Sequence, residues 1–229
     1  MTIRLTSISK SFESGPARRQ VINNVDLGIN NGELIALMGP SGSGKSTLLK
    51  ICAGLELPDQ GEVVVNSQRM HVLSSRRRAL ARLHHIGVIF QHGNLLEELT
   101  AAENVALPLR AQGRSRAQSM ALASDSLNEL GLGDFLDRKP QSMSGGEQQR
   151  IGIARALAGH KQILLADEPT GALDKTATVD VITTLRDIAD RGAAVVIATH
   201  DLLVQDWADR ILIIDDGSLY ETASMSRHT

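Results

Sequence analysis

Nine consecutive residues read GPSGSGKST: Gly39, Pro40, Ser41, Gly42, Ser43, Gly44, Lys45, Ser46 and Thr47. Four residues separate Gly39 from the Gly-Lys-Ser triplet. That spacing suits a loop whose backbone N–H groups turn inward around phosphate oxygens, with a following helix adding its positive end. Lys45 would reach the β- and γ-phosphates, and the Ser46 hydroxyl would ligate Mg²⁺. A plain glycine-rich turn needs no particular neighbours. Here an apolar run, "LIALM", leads in and a helical pattern over residues 45–53 leads out. The segment is therefore read as a nucleoside-triphosphate site.

Acids follow at the end of "ILLADE". Asp167 closes an apolar run, where its carboxylate can hold a Mg²⁺-bound water beside the phosphate loop. The Glu168 side chain points the other way and can orient or deprotonate the water that attacks the γ-phosphate. Without a phosphate loop the pair would be two solvated acids. His200 ends the next run, "AAVVIATHD". A lone histidine there is commonly a core or loop residue, but in an α/β sheet ligands collect at the carboxyl edge of the strands. His200 is accordingly expected to donate a hydrogen bond to the γ-phosphate. Gln91 ends "IGVIF" in the same way and would sense metal or water; standing alone it would be a polar strand terminus. No cysteine or second histidine lies at ligand spacing from His200, so zinc is not expected.

One more stretch raises a question. In "SGGEQQR", Ser144 suits a helix N-cap and Glu147 completes a capping box ahead of Ile151, Ile153, Ala154 and Leu157. Gly145 and Gly146 then occupy the first turn, where each costs roughly 1 kcal/mol against alanine. Bare backbone makes sense if these N–H groups also face a phosphate, with the helix's positive end adding attraction. Spacing leaves open whether that phosphate belongs to the same chain or to another.

The elements that must position these residues are short apolar runs at Leu34–Met38, residues 163–166 and residues 193–198. Their continuous apolar character predicts strands covered on both faces of a parallel sheet. Helical patterns follow them at residues 45–53, 175–191 and 202–208. "IRLTSIS" and "VINNVDLGI" alternate more and read as antiparallel strands, as does "EVVV" after the turn at "PDQG". Between about residues 95 and 142 strand signals vanish and two helical patterns, "TAAENVALPLRAQG" and "RAQSMALASDSLNELGL", take over. The expected fold is an α/β P-loop NTPase (RecA-like) core with a parallel sheet, an antiparallel β subdomain and an inserted α-helical subdomain. One domain would span residues 1–225, with residues 1–94 and 143–221 forming the core, residues 95–142 the helical part, and residues 222–229 a loose tail.

Composition narrows the setting. The 229 residues are 42% hydrophobic and 22% charged, with a net charge of −2, so nothing pulls the whole chain toward nucleic acid or an acidic membrane. Cys52 is the single cysteine, which excludes an internal disulfide and suits a reducing compartment. The opening residues lack a secretory signal, and no apolar run is long enough to span a bilayer. Any membrane role is expected to run through a partner, with the chain cytoplasmic and peripheral to the inner face of the membrane.

In this order, "GPSGSGKST", Gln91, "SGGEQQR", "ILLADE", "GALD" and "ATHD" resemble the ATP-binding subunits of ABC transporters over nearly the whole chain. The resemblance implies ATP and Mg²⁺ as cofactors, ATP hydrolysis, and head-to-tail pairing of two copies around two nucleotides. Ser144, Gly145, Gly146, Glu147 and Gln148 would then complete a neighbour's site. It also implies that Phe12 stacks on adenine and that Asp174 of "GALD" contacts across the interface. Ser46, Gln91 and Asp167 would hold the metal, and Glu168, His200, Lys45 and Gln91 would carry catalysis. More narrowly, "IGVIFQ", "LTAAENVALPL" and "LLADEPTGALD" look like the lipoprotein-releasing and macrolide-exporting subfamily, whose partner is a separate transmembrane permease. A cargo-free cell-division type shares the same core, and a soluble nucleic-acid type is disfavoured by the lack of heptads or of a second ATPase unit. Met143 stands where the family has leucine, and Glu97-Glu98 where the subfamily often has proline and glutamate.

Several other features are read as structural. The basic cluster Arg76, Arg77, Arg78 and Arg82 reads as a solvated helix face, Cys52 as a small core residue and Trp207 as the anchor of a terminal helix. Leu95, Leu96 and Leu99 read as core, or as the lining of a groove for a membrane partner.

Overall fold

The structure, a computed structural model, describes residues 1–14, 17–91 and 94–222. Of the expected tail, residues 223–229 lie outside the described residues.

Two sheets organise the molecule. The larger has the strand order β10(Ser218–Thr222), β9(Arg210–Asp215), β3(Leu34–Met38), β8(Ala194–Ala198), β7(Ile163–Asp167), β6(Ile86–Ile89). Its strands are parallel except for β10, which pairs antiparallel to β9. The apolar runs are continuous because the two sides of each strand serve different cores. Ile35, Leu37, Ile163, Leu165, Ala194 and Val196 face a cluster that includes Leu48, Leu49 and Ile51 of α1(Lys45–Cys52). Leu34, Ala36, Leu164, Ala166, Val195 and Ile197 face a second cluster with Ile153 of α5(Gly145–Leu157) and Val181, Ile182 and Leu185 of α6(Lys175–Asp190). The two-residue period of a strand sends neighbours to opposite faces, so a strand buried on both sides needs apolar residues throughout.

The smaller sheet is antiparallel, ordered β2(Ala17–Ile29), β1(Ile3–Ser14), β4(Gln60–Val65), β5(Gln68–Arg69). Its alternating residues Ile3, Leu5, Ile8, Val63 and Val65 close the first core from the far side of α1. α2(Ser75–His85) leads into β6. Arg76 and Arg77 are exposed as expected, but Arg78 and Arg82 are half-buried: Arg82 donates to the Gly54 carbonyl at 2.9 Å, tying the helix to the end of α1, and Arg78 to the Leu73 carbonyl at 2.7 Å in the segment leading into α2.

α3(Ala101–Ala111) and α4(Arg116–Glu129) build a third cluster with Leu132, Met143, Ile151 and Ala154. Both start in capping boxes, Thr100 with Glu103 and Ser115 with Gln118. α5 serves two masters, giving Ile151 and Ala154 to this cluster and Ile153 and Ala156 to the sheet. The segment expected as a terminal helix is 3₁₀ over Leu202–Trp207. Asp201 accepts from the Leu203 N–H at its start, and Val204 and Trp207, three residues apart, face the core, which matches a three-residue turn.

Candidate nucleotide site

Three strands of the larger sheet end at one edge, and their termini carry the predicted residues. After β3 the loop of residues 39–44 folds back over the start of α1. Gly39 has no alternative there: a Cβ on it would stand 2.3 Å from the Ile214 carbonyl oxygen. Lys45 is buried and its ammonium donates to the carbonyls of Gly39 at 2.7 Å and Pro40 at 3.1 Å. These carbonyls are poor substitutes for a phosphate's charge, and the amine lies where an anion would draw it inward. The buried Ser43 hydroxyl has no hydrogen-bond partner among the described residues, an unmet demand facing the same loop.

The acids at the end of β7 diverge as predicted. Asp167 accepts from the Ser46 hydroxyl at 2.9 Å. Glu168 turns toward β8, where the Thr199 hydroxyl donates to it at 3.1 Å and His200 Nδ1 lies 3.1 Å from its other oxygen. Opposite a carboxylate that ring nitrogen is the protonated one, which leaves Nε2 as the acceptor in a neutral ring. The Lys45 ammonium stands 3.9 Å from the same carboxylate. Glu168 holds a φ of +48°, in the left-handed region where a non-glycine residue is strained. Its backbone is fixed there by its own N–H, which donates to the Ala198 carbonyl at 2.8 Å. Parallel register sets Asp167 beside Ala198, so Glu168 and Thr199 emerge side by side.

Ser46 thus meets Asp167, and Lys45 and His200 both meet Glu168; the two sets are adjacent because Lys45 and Ser46, and Asp167 and Glu168, are chain neighbours. Gln91 reaches the turn that follows Glu168, its side-chain amide lying 3.0 Å from where a Cβ on Gly171 would stand. Phe12 is on the smaller sheet, 40% exposed, with the Lys10 ammonium 5.1 Å from its ring centre. That exposure argues against a packing role. A 190 Å³ hollow bounded by residues 40–43 runs to Arg19, the cross-strand neighbour of Phe12.

The Ser144 segment borders a different hollow, which Gly145 and Gln148 share with Gln91, Ala172 and Leu173. Its capping box is complete: Ser144 N–H donates to the Glu147 carboxylate at 2.7 Å and Glu147 N–H to the Ser144 hydroxyl at 3.3 Å. The donated N–H holds the Glu147 carboxyl below its ordinary pKa. Gln148 donates back to the carbonyls of Pro140 and Met143, fixing the approach to the helix. The glycines differ from each other. A Cβ on Gly146 would stand 2.8 Å from the Ala177 Cβ, so this glycine is required by the packing of α5 on α6; one on Gly145 would meet only the flexible end of Leu173 at 3.4 Å. Asp174 caps α6 by accepting from the Ala177 N–H at 2.9 Å.

Sequence reasoning missed three supports. Thr199, fully buried, holds Glu168; its polar type inside an apolar run was the available signal. Gln149, also buried, donates to the Phe90 carbonyl at 3.1 Å, just before Gln91. Asn104, buried in α3, donates to the carbonyls of Leu96, Leu99 and Thr100 and accepts from the Leu96 N–H, so one side chain shapes residues 96–100. In that segment Leu95 is half-buried against the third cluster and Leu96 is exposed.

Known proteins share this arrangement. The model of the ABC transporter family matches residues 22–171. The lipoprotein-releasing system ATP-binding protein LolD 1 of Rhodospirillum rubrum is 42% identical over 218 residues, which is 95% of this chain and 96% of that one. The macrolide export ATP-binding/permease protein MacB of Salmonella typhi is 43% identical over 217 residues; there the chain spans 34% of the relative's length. Among solved structures, the dimeric post-hydrolysis state of the ATP-binding cassette MJ0796 bound to ADP and Pi aligns with a TM-score of 0.88 at 36% identity, covering 98% of this chain and 99% of that one. With the phosphate loop and both acids at one edge of the sheet, the chain belongs to the ABC transporter family and is one of its ATP-hydrolysing cassettes.

Proposed function

We propose that two copies of this chain pair head to tail around two ATP molecules, each copy offering its phosphate loop to one nucleotide and its Ser144 segment to the other. One observation carries this reading. α1, which follows the phosphate loop, packs on β2, β4, β7 and β8, whereas α5 packs on β6, α3, α4 and α6. Two phosphate-seeking helix ends are therefore built on separate supports, and a second copy is the simplest means of bringing them to one ligand. The MJ0796 cassette is dimeric in its post-hydrolysis state, which agrees with it.

In this scheme residues 39–44, Lys45, Ser46 and Thr47 hold the phosphates, and Phe12 stacks on the base. The partner's Ser144 segment, from Ser144 to Gln148, closes over the γ-phosphate, with Asp174 at the seam. Mg²⁺ suits the donors present, since Ser46 and Asp167 offer hard oxygens in direct contact and Gln91 can add an amide oxygen. Bound there, the ion would neutralise charge on the transferring phosphoryl group. Glu168 orients and deprotonates the attacking water, held by Thr199 and His200, and His200 Nε2 would donate to the phosphate only when both ring nitrogens carry protons. Catalysis of this kind comes mostly from position and charge.

Closure of the pair would drive a separate membrane permease, as the names of the LolD relatives suggest for a lipoprotein-releasing system or those of the MacB relatives for macrolide export. None of the helices among the described residues is long and apolar enough to cross a membrane. The chain would therefore sit at the cytoplasmic face of the membrane, attached through that permease. Specific ATPase activity measured across a dilution series tests the pairing: it should fall as the protein is diluted below its dimerisation constant, and full activity at every dilution would overturn the scheme.

A further inference from the structure

A cleft of about 590 Å³ opens at the opposite edge of the large sheet from the nucleotide site, where α5 ends and α6 turns into β8. Its volume falls within the ~300–1,000 Å³ typical of small-molecule sites. Its walls belong to two different cores. Leu109, Leu122, Leu130 and Ala154 come from the helical cluster, and Leu157, Ile188 and Ala193 from the cluster on the sheet. The cleft is thus an apolar seam between the helical insertion and the α/β core.

The seam also carries a cation without a partner. Lys161 lines it half-buried, and its ammonium has no hydrogen-bond or ion-pair partner among the described residues. Burial and the nearby Arg155 push its pKa down to about 8, so the amine is short of negative charge. Arg191 and His160 flank it on the core side and Arg114 stands at the end of α3, while Asp125 and Glu129 occupy the exposed α4 rim. Among the described residues, Lys161, Arg114, Arg191 and His160 form no ion pair with these two acids.

We propose that this cleft binds a small amphipathic anion, a monocarboxylate on a short hydrocarbon body, with the carboxylate on Lys161 and the hydrocarbon in the seam between the two cores. One negative charge suits the unpartnered Lys161 ammonium, and Asp125 and Glu129 on the rim oppose a dianion. A ligand so placed would join the helical insertion to the core.

Octanoate is the probe, with octylamine and 1-octanol as its cationic and neutral counterparts, titrated into the full chain by isothermal calorimetry at pH 7. Octanoate should bind in preference to both. Lys161→Gln should weaken it roughly tenfold, by loss of a charge-assisted hydrogen bond. Ser126→Phe, which fills the cleft from the half-buried face of α4, should abolish binding. Neither residue touches the nucleotide site, so both variants should keep their basal ATPase, which also certifies their fold. No octanoate binding to the wild type, equal binding by octylamine or octanol, or unchanged binding in both folded variants would overturn the proposal.

Discussion

The phosphate loop and the Ser144 helix end are both glycine-bearing turns proposed to face phosphate, yet the chain treats them differently. The loop is unfinished: Lys45 rests on carbonyls of its own loop and the Ser43 hydroxyl has no partner. The helix end is finished, with both capping bonds made and Gln148 anchoring its approach. One region offers polar groups that its own chain does not satisfy. The other is a rigid platform that becomes useful only when something is brought to it, which is how a part offered to a second molecule should look. Such a part must be preorganised, because a loop that ordered on contact would lose affinity to its own entropy.

The largest expected effect lies on the unfinished side. Glu168→Gln should cut ATP turnover by about 10²–10⁴-fold, the usual worth of a general base, while retaining ATP binding. With ATP it should run as a dimer in size-exclusion chromatography; near-normal turnover would mean that another group is the base. Lys45→Ala should instead lose nucleotide affinity. Mixing Lys45→Ala with Ser144→Arg, each inactive alone, should restore measurable activity, since one of the two sites in a mixed pair has both halves intact. Failure to restore it would erase the distinction between the two regions.

Next in size is the contrast between the glycines. Gly146→Ala forces a methyl against Ala177 and should destabilise the fold by about 1–3 kcal/mol, read from urea denaturation. Adding Ala177→Gly should recover part of that loss. Gly145→Ala should leave stability unchanged or raise it by up to about 1 kcal/mol yet lower ATPase activity, because its Cβ meets only the flexible end of Leu173 within its own chain and would meet phosphate in the proposed pair. If Gly145→Ala is fully active, the bare backbone there serves no partner. If the Gly146→Ala, Ala177→Gly double variant regains ATPase along with stability, Gly146 is a packing residue alone.

What the sequence revealed and what it hid follow a physical line. The phosphate loop, the diverging Asp167 and Glu168 and the Ser144 capping box depend on residues within a few positions of one another, and each was legible from spacing. The strands were legible because burial on both faces leaves continuous apolar runs. The role of Thr199 depends on the register of β7 against β8, two strands about thirty residues apart, which no local pattern encodes. Gly146 was read as a demand of the ligand; its contact with Ala177 crosses from α5 to α6 and supplies a reason from packing. The buried Asn104, which fixes residues 96–100, looks like any polar residue on a helix until its four hydrogen bonds are seen.

The smallest effect tests whether the platform is held by charge or by geometry. α4 starts with the same box as α5, but its third residue is Gln118, whose amide oxygen accepts from the Ser115 N–H at 3.1 Å, so glutamine can close such a box. Glu147→Gln should therefore keep the bond and lose only the charge at the helix's positive end, a cost of about 0.3–1 kcal/mol at pH 7 and low salt. The folded-state pKa of Glu147 is depressed, so its charge contributes fully above the ordinary carboxylate pKa and loses that contribution as pH falls through the folded value. Urea denaturation at pH 7 and at progressively lower pH should accordingly show the gap between wild type and variant closing on acidification, and addition of salt at pH 7 should shrink it. A gap that persisted in acid would place the benefit in the shape of the carboxylate. ATPase activity should change less than threefold, since the N–H groups of the helix end stay where the capping bonds hold them.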